Sequence, residues 1–491
     1  NRSFDDYKPP AYMYLNMITV AIFGLNPFAA RLPSAIFGFF TVPLIYFLVK
    51  KLFKVTGGKE KLSVVNGHLS TDNETLSNVK GETIALVAMF LLAISPWHIQ
   101  FSRVGFEATV GLFAAVAAIT AFLYGLSNKK WLIVAAVALG LSSYTYHTQR
   151  IFVPLLFIAT FIIWKDRILA VSKQYLAGFL ITTILISLPL VILIPPKVIL
   201  ERFEVTTGRP KLEDIEKSIK FILQDKEVES PLGHIIHNRR FVIGQTYFGN
   251  YLSHFDFNFL FTRGDDNFRH HIQDMGMLYL FEFPLVIFGI YYLIRYKTKA
   301  SIFLIVWLLI APIAATPATP NPHGNRSLPM IIVLEIISAY AIISLISLKI
   351  PFRKLIIPAY SSWILISFII YVHNYFVHYP IEKASFWQYG YSQAVHESEK
   401  IKDHYSKILV DHTIEQAYAF WLFNTRYEPG LYQKGGSRYG FDKYVFDAKL
   451  PTEPDQLFIS DVSRFPSNFE VVKTIYYPDG TETIKIGHPR Q

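Results

Sequence analysis

About ten apolar stretches of roughly bilayer-crossing length run through the first three quarters of this 491-residue chain. A helix rises 1.5 Å per residue, so crossing roughly 30 Å of hydrocarbon takes about 20 apolar residues. Candidate spans fall near 32–49, 82–99, 105–126, 130–147, 150–164, 174–195, 277–294, 300–316, 327–348 and 355–374. Backbone groups in lipid must bond within their own segment, which leaves helices as the form such stretches take. The expected fold class is therefore a polytopic α-helical membrane protein. A content of 52% hydrophobic residues, too high for a soluble chain of this size, agrees.

Placing successive connections on alternate sides gathers Lys50, Lys51, Lys54, Lys80, Lys129, Lys130, Lys165, Arg167, Lys173, Arg295, Lys297, Lys299, Lys349, Arg353 and Lys354 on one side. The short connections opposite hold only Arg103, Arg150 and Arg326. By the positive-inside rule the first side is cytoplasm, so the 196–276 loop and the tail after residue 375 are exoplasmic. The same rule accounts for most of the +10 net charge, which implies membrane lipids as partners and no nucleic acid. Zero cysteines exclude disulfides, thiolate metal sites and cysteine nucleophiles.

Three regions are expected. Residues 1–31 form part of a first outer loop, with Ala11–Leu25 too short to cross and read as an interfacial helix. Residues 32–374 form the membrane domain, with a cytoplasmic loop over 50–80, its polar stretch from Thr56 to Lys80 read as flexible, and the outer loop over 196–276. Residues 375–491 read as a small exoplasmic α/β domain. It has a helix over Tyr391–Tyr405, a strand at Lys407–Val410, an amphipathic run over Ile414–Arg426, a strand at Leu457–Ser460 and a hairpin around Pro478-Asp479-Gly480.

The polar motifs cluster on the outer side. Asp5-Asp6-Tyr7-Lys8-Pro9-Pro10 sets carboxylates and a cation at the lip of the interfacial helix: either a solvated helix start, or a lysine that holds a phosphate beside carboxylates that orient a hydroxyl. The turn Ser95–Ala108 carries Arg103 and Glu107, and a carboxylate opening a helix is favoured by the dipole whatever its function. Tyr144, Tyr146, His147 and Arg150 make a turn fit to stack on sugars or to join an aromatic belt. The outer loop alternates aromatics with polar groups through Arg263 and Asp265 to Arg269-His270-His271. Adjacent histidines do not share a helical face, which speaks against a metal there. In the proline-rich run Thr316–Pro329, Arg326 is placed at the outer N-terminus of the next span, where the dipole disfavours it unless an anion or lipid headgroup compensates; His323 lies beside it. Glu335 is expected to face protein rather than lipid.

Two runs resemble a known family. Asp6-Tyr7-Lys8-Pro9-Pro10 through Ile22-Phe23-Gly24-Leu25-Asn26-Pro27-Phe28-Ala29-Ala30-Arg31-Leu32-Pro33-Ser34-Ala35, and Ser95-Pro96-Trp97-His98 through Glu107-Ala108, resemble polyprenyl-phosphate-dependent glycosyltransferases of the GT-C fold. The nearest branch is that of the protein O-mannosyltransferases and lipid A aminoarabinose transferases. The resemblance implies a GT-C membrane domain and an enzyme that passes a hexose or pentose, with inversion, from a polyprenyl-phosphate carrier to an extracytoplasmic hydroxyl on a lipid, glycan or protein. It implies Lys8 and Arg326 at the donor phosphate and Asp6 and Glu107 as catalytic carboxylates. Arg103, Tyr144, Tyr146, Arg150, His323, Arg263 and Asp265 are expected to contact substrate. No metal ligand is assigned, and a divalent cation stays open as a cofactor. The family's first span and its main acidic pair are expected upstream of Asn1. The expected location is the cell membrane, with the site facing outward. A transporter or lipid flippase is the competing class; it would show mid-membrane charges and matched halves, which are not evident here. An outer scaffold built on the tail after Phe386 is a third reading.

Overall fold

The computed structural model describes residues 2–3, 6–56, 73–193, 212–347 and 353–490, which divide into two compact units. The first comprises residues up to Asp266 and Asp274–Ile369; the second comprises Asn267–Gln273 and Ile370–Gln491.

The first unit opens with a two-stranded ladder, β1 (Arg2–Ser3) and β2 (Asp6–Tyr7), and helix α1 (Ala11–Phe23). There follow α2 (Pro27–Thr56), α3 (Asn73–Ile94), α4 (Pro96–Val104), α5 (Glu107–Gly125), α6 (Lys130–Ser142), α7 (Gln149–Ile163), α8 (Lys165–Leu169) and α9 (Lys173–Leu193). The segment between α9 and the next apolar helix contributes α10 (Leu212–Glu227), α11 (Gly233–Ile236), α12 (Arg239–Ser253) and a π-helical turn over Asn258–Thr262. The unit is completed by α13 (Glu282–Tyr296), α14 (Lys299–Ile310), α15 (Met330–Ser347) and α16 (Arg353–His373), which carries the chain into the second unit.

Helix α2 packs on α3 and α5, α5 on α6, and α15 on α3 and α13. Their compositions explain which are central. Helix α5 buries Ala108, Gly111, Ala115, Ala118 and Ala121, small residues that let neighbouring backbones approach closely. Helices α9 and α16 leave nearly all of their apolar surface uncovered by protein, as lipid-facing spans do.

The sequence expectation of about ten spans needs one correction of length. Every expected segment contains a helix, yet among the described residues five helices are long and apolar enough to cross, or six if α3 and α4, bent by 57° at Ser95, count as one broken span. Helices α6, α7 and α14 are shorter apolar helices, as is α1. Proline explains the bend, since Pro96 disfavours helical geometry at Ser95 and begins a new helix at its first position. A second correction concerns the polar insert: α3 begins at Asn73, so its first turns are polar helix where loop was expected, while 57–72 lie outside the described residues. Glu335 is completely buried, with Glu282 at the start of α13 and Ser95 as neighbours.

The second unit is a six-stranded sheet in the order β4 (Gly440–Phe441), β5 (Tyr444–Phe446), β3 (Lys407–Val410), β6 (Gln456–Asp461), β8 (Glu482–Pro489) and β7 (Phe469–Tyr476). Strand β3 runs parallel to both neighbours, and the other pairs are antiparallel. Two-residue alternation sorts its faces. Ile408, Val410, Leu457 and Ile459 join Trp421 and Phe446 in one core, while Leu409 and Phe458 meet Phe469 on the other face. The helix expected over Tyr391–Tyr405 spans Tyr391–Ile401 and continues as a short 3-10 turn, and the expected hairpin is β7–β8. Within this unit Lys383 Nζ lies 3.9 Å from the ring centre of Phe268, and Tyr379 donates its hydroxyl to the Phe268 carbonyl.

Candidate active site

Helix α4 ends at Gly105, whose φ of +88° reverses the chain in the left-handed region open to glycine. The reversal starts α5 with Glu107, so its carboxylate sits at a helix N-terminus where the dipole favours it. Ser34 Oγ on α2 fastens the turn by donating to the carbonyls of Phe101 at 2.9 Å and Phe106 at 3.3 Å. Opposite, Pro9-Pro10 stiffens the entry to α1, and Ala11 N–H donates to the Tyr144 carbonyl at 3.1 Å. These constraints bring Lys8 Nζ to 3.5 Å from Glu107 Oε1. The pair is half-open, with 37% of the Lys8 side chain and 17% of Glu107 exposed, so a ligand can reach it.

Two further residues belong to this corner and were not among the sequence expectations. Tyr12 and Arg31 flank Gly105: a Cβ there would lie 3.2 Å from Tyr12 Oη and 3.4 Å from Arg31 Cγ. The Tyr12 hydroxyl donates to the Ala30 carbonyl at 3.0 Å, and burial, with the Glu107 charge as a smaller contribution, raises its pKa. It therefore stays a neutral donor across the working pH range. The sequence did contain a signal, because Arg31 interrupts an otherwise apolar start of α2. Asp6 contributes backbone to β2, and its side chain lies outside the described residues. Arg103 is exposed in the last turn of α4, where the dipole alone suits a cation.

In the adjoining turn, Arg150 Nε donates to the Ser143 carbonyl at 3.0 Å, and its Nη1 lies 3.2 Å from His147 Nδ1. The Tyr144 hydroxyl is committed to the Ile186 carbonyl on α9 at 2.6 Å. Tyr146 is nearly buried, 6.4 Å ring to ring from His147.

The proline-rich connection is clamped at Gly324. Its N–H donates to buried Asp265 Oδ2 at 2.7 Å, and its carbonyl accepts from Trp97 Nε1 on α4 at 3.2 Å. One residue earlier, His323 N–H donates to His254 Nε2 at 3.2 Å, while His254 Nδ1 faces the Asn250 carbonyl at 2.9 Å. Asp265 and His323 also bring a carboxylate oxygen and a ring nitrogen within 4.8 Å of each other. Trp307 Nε1 closes the connection by donating to the Pro329 carbonyl at 3.0 Å. Arg326 is held in this turn, which corrects its expected place: α15 begins at Met330, four residues on, and the stretch before it is closed by turn bonds from Ser327 N–H to the His323 carbonyl and from Met330 N–H to the Ser327 carbonyl. The dipole, which fades beyond the first turn, is thus not what sets the environment of Arg326. Arg263 is exposed just after the π-helical turn.

Helix α4 links the two halves of the site. Its Trp97 holds the Gly324 turn and its far end leads into Glu107; nine residues correspond to roughly 13 Å of helix. Cations from different loops, Lys8 and Arg326, thus flank a short helix.

His254 gives this clamp a pH dependence. Burial lowers its pKa, against the opposing pull of the Asn250 carbonyl and the Asp265 charge. The neutral ring accepts from His323, and a protonated ring cannot. A group held neutral by the fold contributes stability that is complete above its ordinary pKa near 6.5 and erodes as pH falls below it. Thermal unfolding followed from pH 7.5 to 5 should therefore show Tm falling on the acid side, and His254→Gln, which keeps an acceptor but cannot titrate, should flatten that fall.

Residues 7–59 and 74–192 match the family profile described as dolichyl-phosphate-mannose-protein mannosyltransferase. No curated protein matches the chain. Among solved structures, ArnT from Cupriavidus metallidurans bound to undecaprenyl phosphate aligns at 11% identity and a TM-score of 0.48, over 98% of this chain and 87% of ArnT. The oligosaccharyltransferase AglB from Archaeoglobus fulgidus, in complex with an inhibitory peptide and a dolichol-phosphate, aligns at 13% identity and a TM-score of 0.46, over 99% of this chain and 66% of AglB. Likeness at that distance carries no argument about the site. The family match takes in α1 to α9 and with them Lys8, Tyr12, Arg31, Glu107 and the 144–150 turn. Over these residues the chain is similar to the dolichyl-phosphate-mannose-protein mannosyltransferase family.

Proposed function

We propose that this protein is an inverting glycosyltransferase that passes a sugar from a polyprenyl-phosphate carrier to a hydroxyl acceptor on a lipid, glycan or protein at the extracytoplasmic face of the cell membrane. The observation that supports it best is the Lys8–Glu107 pair, which lies inside the family match and opens to ligand. In the reaction the acceptor oxygen attacks the anomeric carbon, the bond from that carbon to the phosphate oxygen breaks, and the carrier phosphate leaves with the electron pair. The acceptor proton passes to a carboxylate base. Lys8 meets the charge growing on the phosphate while Glu107 holds the ammonium in place, and Arg326 grips the phosphate from the proline-rich turn. Glu107 and Asp6 are the proposed carboxylates of this chain. Arg103, Arg150, Tyr146, His323 and Arg263 line the route of the sugar and acceptor in this reading; Tyr144 and Asp265 act by holding the turns.

The test is transfer from radiolabelled polyprenyl-phosphate sugar in the full-length protein. Arg326→Ala should abolish it; undiminished transfer would remove Arg326 from the mechanism. The anomeric configuration of the product, read by NMR, should be opposite to that of the donor.

A further inference from the structure

We infer that helices α10 to α12 lie on the membrane as an interfacial hairpin, their outer face immersed at the headgroup–acyl boundary of the leaflet that meets the C-terminal end of α14. Its inner face is fully occupied. Ser218 Oγ donates to the His237 carbonyl at 2.6 Å, Thr246 Oγ1 donates to Asp214 Oδ1 at 3.0 Å, the rings of Phe221 and His237 meet 4.9 Å apart at a tilt of 51°, and Val242 is buried. The outer face is apolar and uncovered: Ile219 and Leu223 one turn apart on α10, Ile235 on α11, and Phe241, Phe248 and Leu252 along one side of α12 are all exposed. A patch of this size exceeds what scattered surface residues explain.

Its occupant follows from where the hairpin is tied. Tyr251 donates its hydroxyl to the Leu309 carbonyl at 2.8 Å, and Asn250 Nδ2 donates to the Thr316 carbonyl at 3.4 Å. These bonds fix the end of α12 to the end of α14, an apolar helix whose Leu309 is itself exposed beside Ile313. The apolar face of the hairpin therefore continues the lipid-facing surface of the helical unit. Residues 212–253 carry five Lys and Arg against six Asp and Glu, so apolar insertion rather than attraction to anionic lipid drives the contact.

The inference rests on the reading of the long apolar helices as membrane spans, and the test separates the two. The chain has no cysteine, so single cysteines at Leu223, Ile235 and Phe248 can carry nitroxide labels in the full-length protein in phosphatidylcholine nanodiscs. Ile184 on α9 serves as the spanning control and Lys217, exposed on α10 a third of a turn round from Leu223, as the aqueous one. The three test labels should be accessible to oxygen and protected from a water-soluble nickel chelate, like Ile184, and should keep that pattern in 0.5 M salt. Water-like labels at 223, 235 and 248 beside an immersed Ile184 would overturn the inference alone, as would labels shielded from both reagents, the signature of a protein partner. A water-like Ile184 would overturn the reading of the spans. All labelled positions are exposed, so the packed inner face is left intact.

Discussion

Lys8→Ala is expected to slow sugar transfer by roughly 10²–10³-fold, the range seen when one preorganised donor to developing charge is lost. The effect is large because Lys8 is placed before any substrate arrives. Its backbone is set by Pro9-Pro10 and the bond from Ala11 to Tyr144, and its ammonium rests on Glu107 at 3.5 Å. Glu107→Gln is expected to act differently. It keeps the shape and removes the counter-charge, so it frees Lys8 to wander and leaves it more available to phosphate. The loss should then fall mainly on kcat, with KM unchanged or lower, whereas Lys8→Ala should fall on both. The charge-swapped double variant Lys8→Glu, Glu107→Lys restores a pair of opposite charges; if pairing alone were the role of Lys8, that variant would recover activity, and the account expects it to stay inactive.

The second large effect is expected at Asp265. Its carboxylate accepts the buried Gly324 N–H at 2.7 Å, and the same glycine's carbonyl is held by Trp97 Nε1. Asp265→Ala leaves that N–H unsatisfied, at a cost of about 1–3 kcal/mol. The turn that presents Arg326 should loosen with it. We expect a lower Tm and near-complete loss of transfer in Asp265→Ala, while Asp265→Asn, whose amide oxygen can still accept, should retain the fold and most of the activity. Equal loss in both variants with unchanged Tm would instead give the Asp265 charge a direct part in the reaction.

Much of this architecture was legible because it depends on short-range signals. Hydropathy placed a helix in every apolar stretch that was expected to span, short apolar runs located β3 and β6, and Pro478-Asp479-Gly480 located the hairpin. Helix lengths were less legible, since a polar helical start such as Asn73–Lys80 has no apolar period to announce it. The site was legible in kind and not in contact. Lys8 and Glu107 are 99 positions apart in the sequence, and only the packing of α1, α2 and α5 brings them together. Tyr12 and Arg31 were hidden for the same reason, their convergence depending on the Gly105 turn. The start of α15 at Met330 rather than Ser327 was not legible, since a proline at 329 is tolerated in the first turn of a helix. Asp265 and Tyr144 illustrate the converse, since polar groups that looked available for substrate are engaged by neighbouring turns.

The central claim is that Lys8 and Arg326, from two separate loops, hold one polyprenyl-linked phosphate. Equilibrium binding of radiolabelled, sugar-free polyprenyl phosphate to the full-length protein in nanodiscs tests it without requiring turnover. Charge-assisted hydrogen bonds of this kind contribute about 1.5–3 kcal/mol, so Lys8→Ala and Arg326→Ala should each weaken binding by roughly ten- to a hundredfold. Wild-type affinity in both variants would contradict the account.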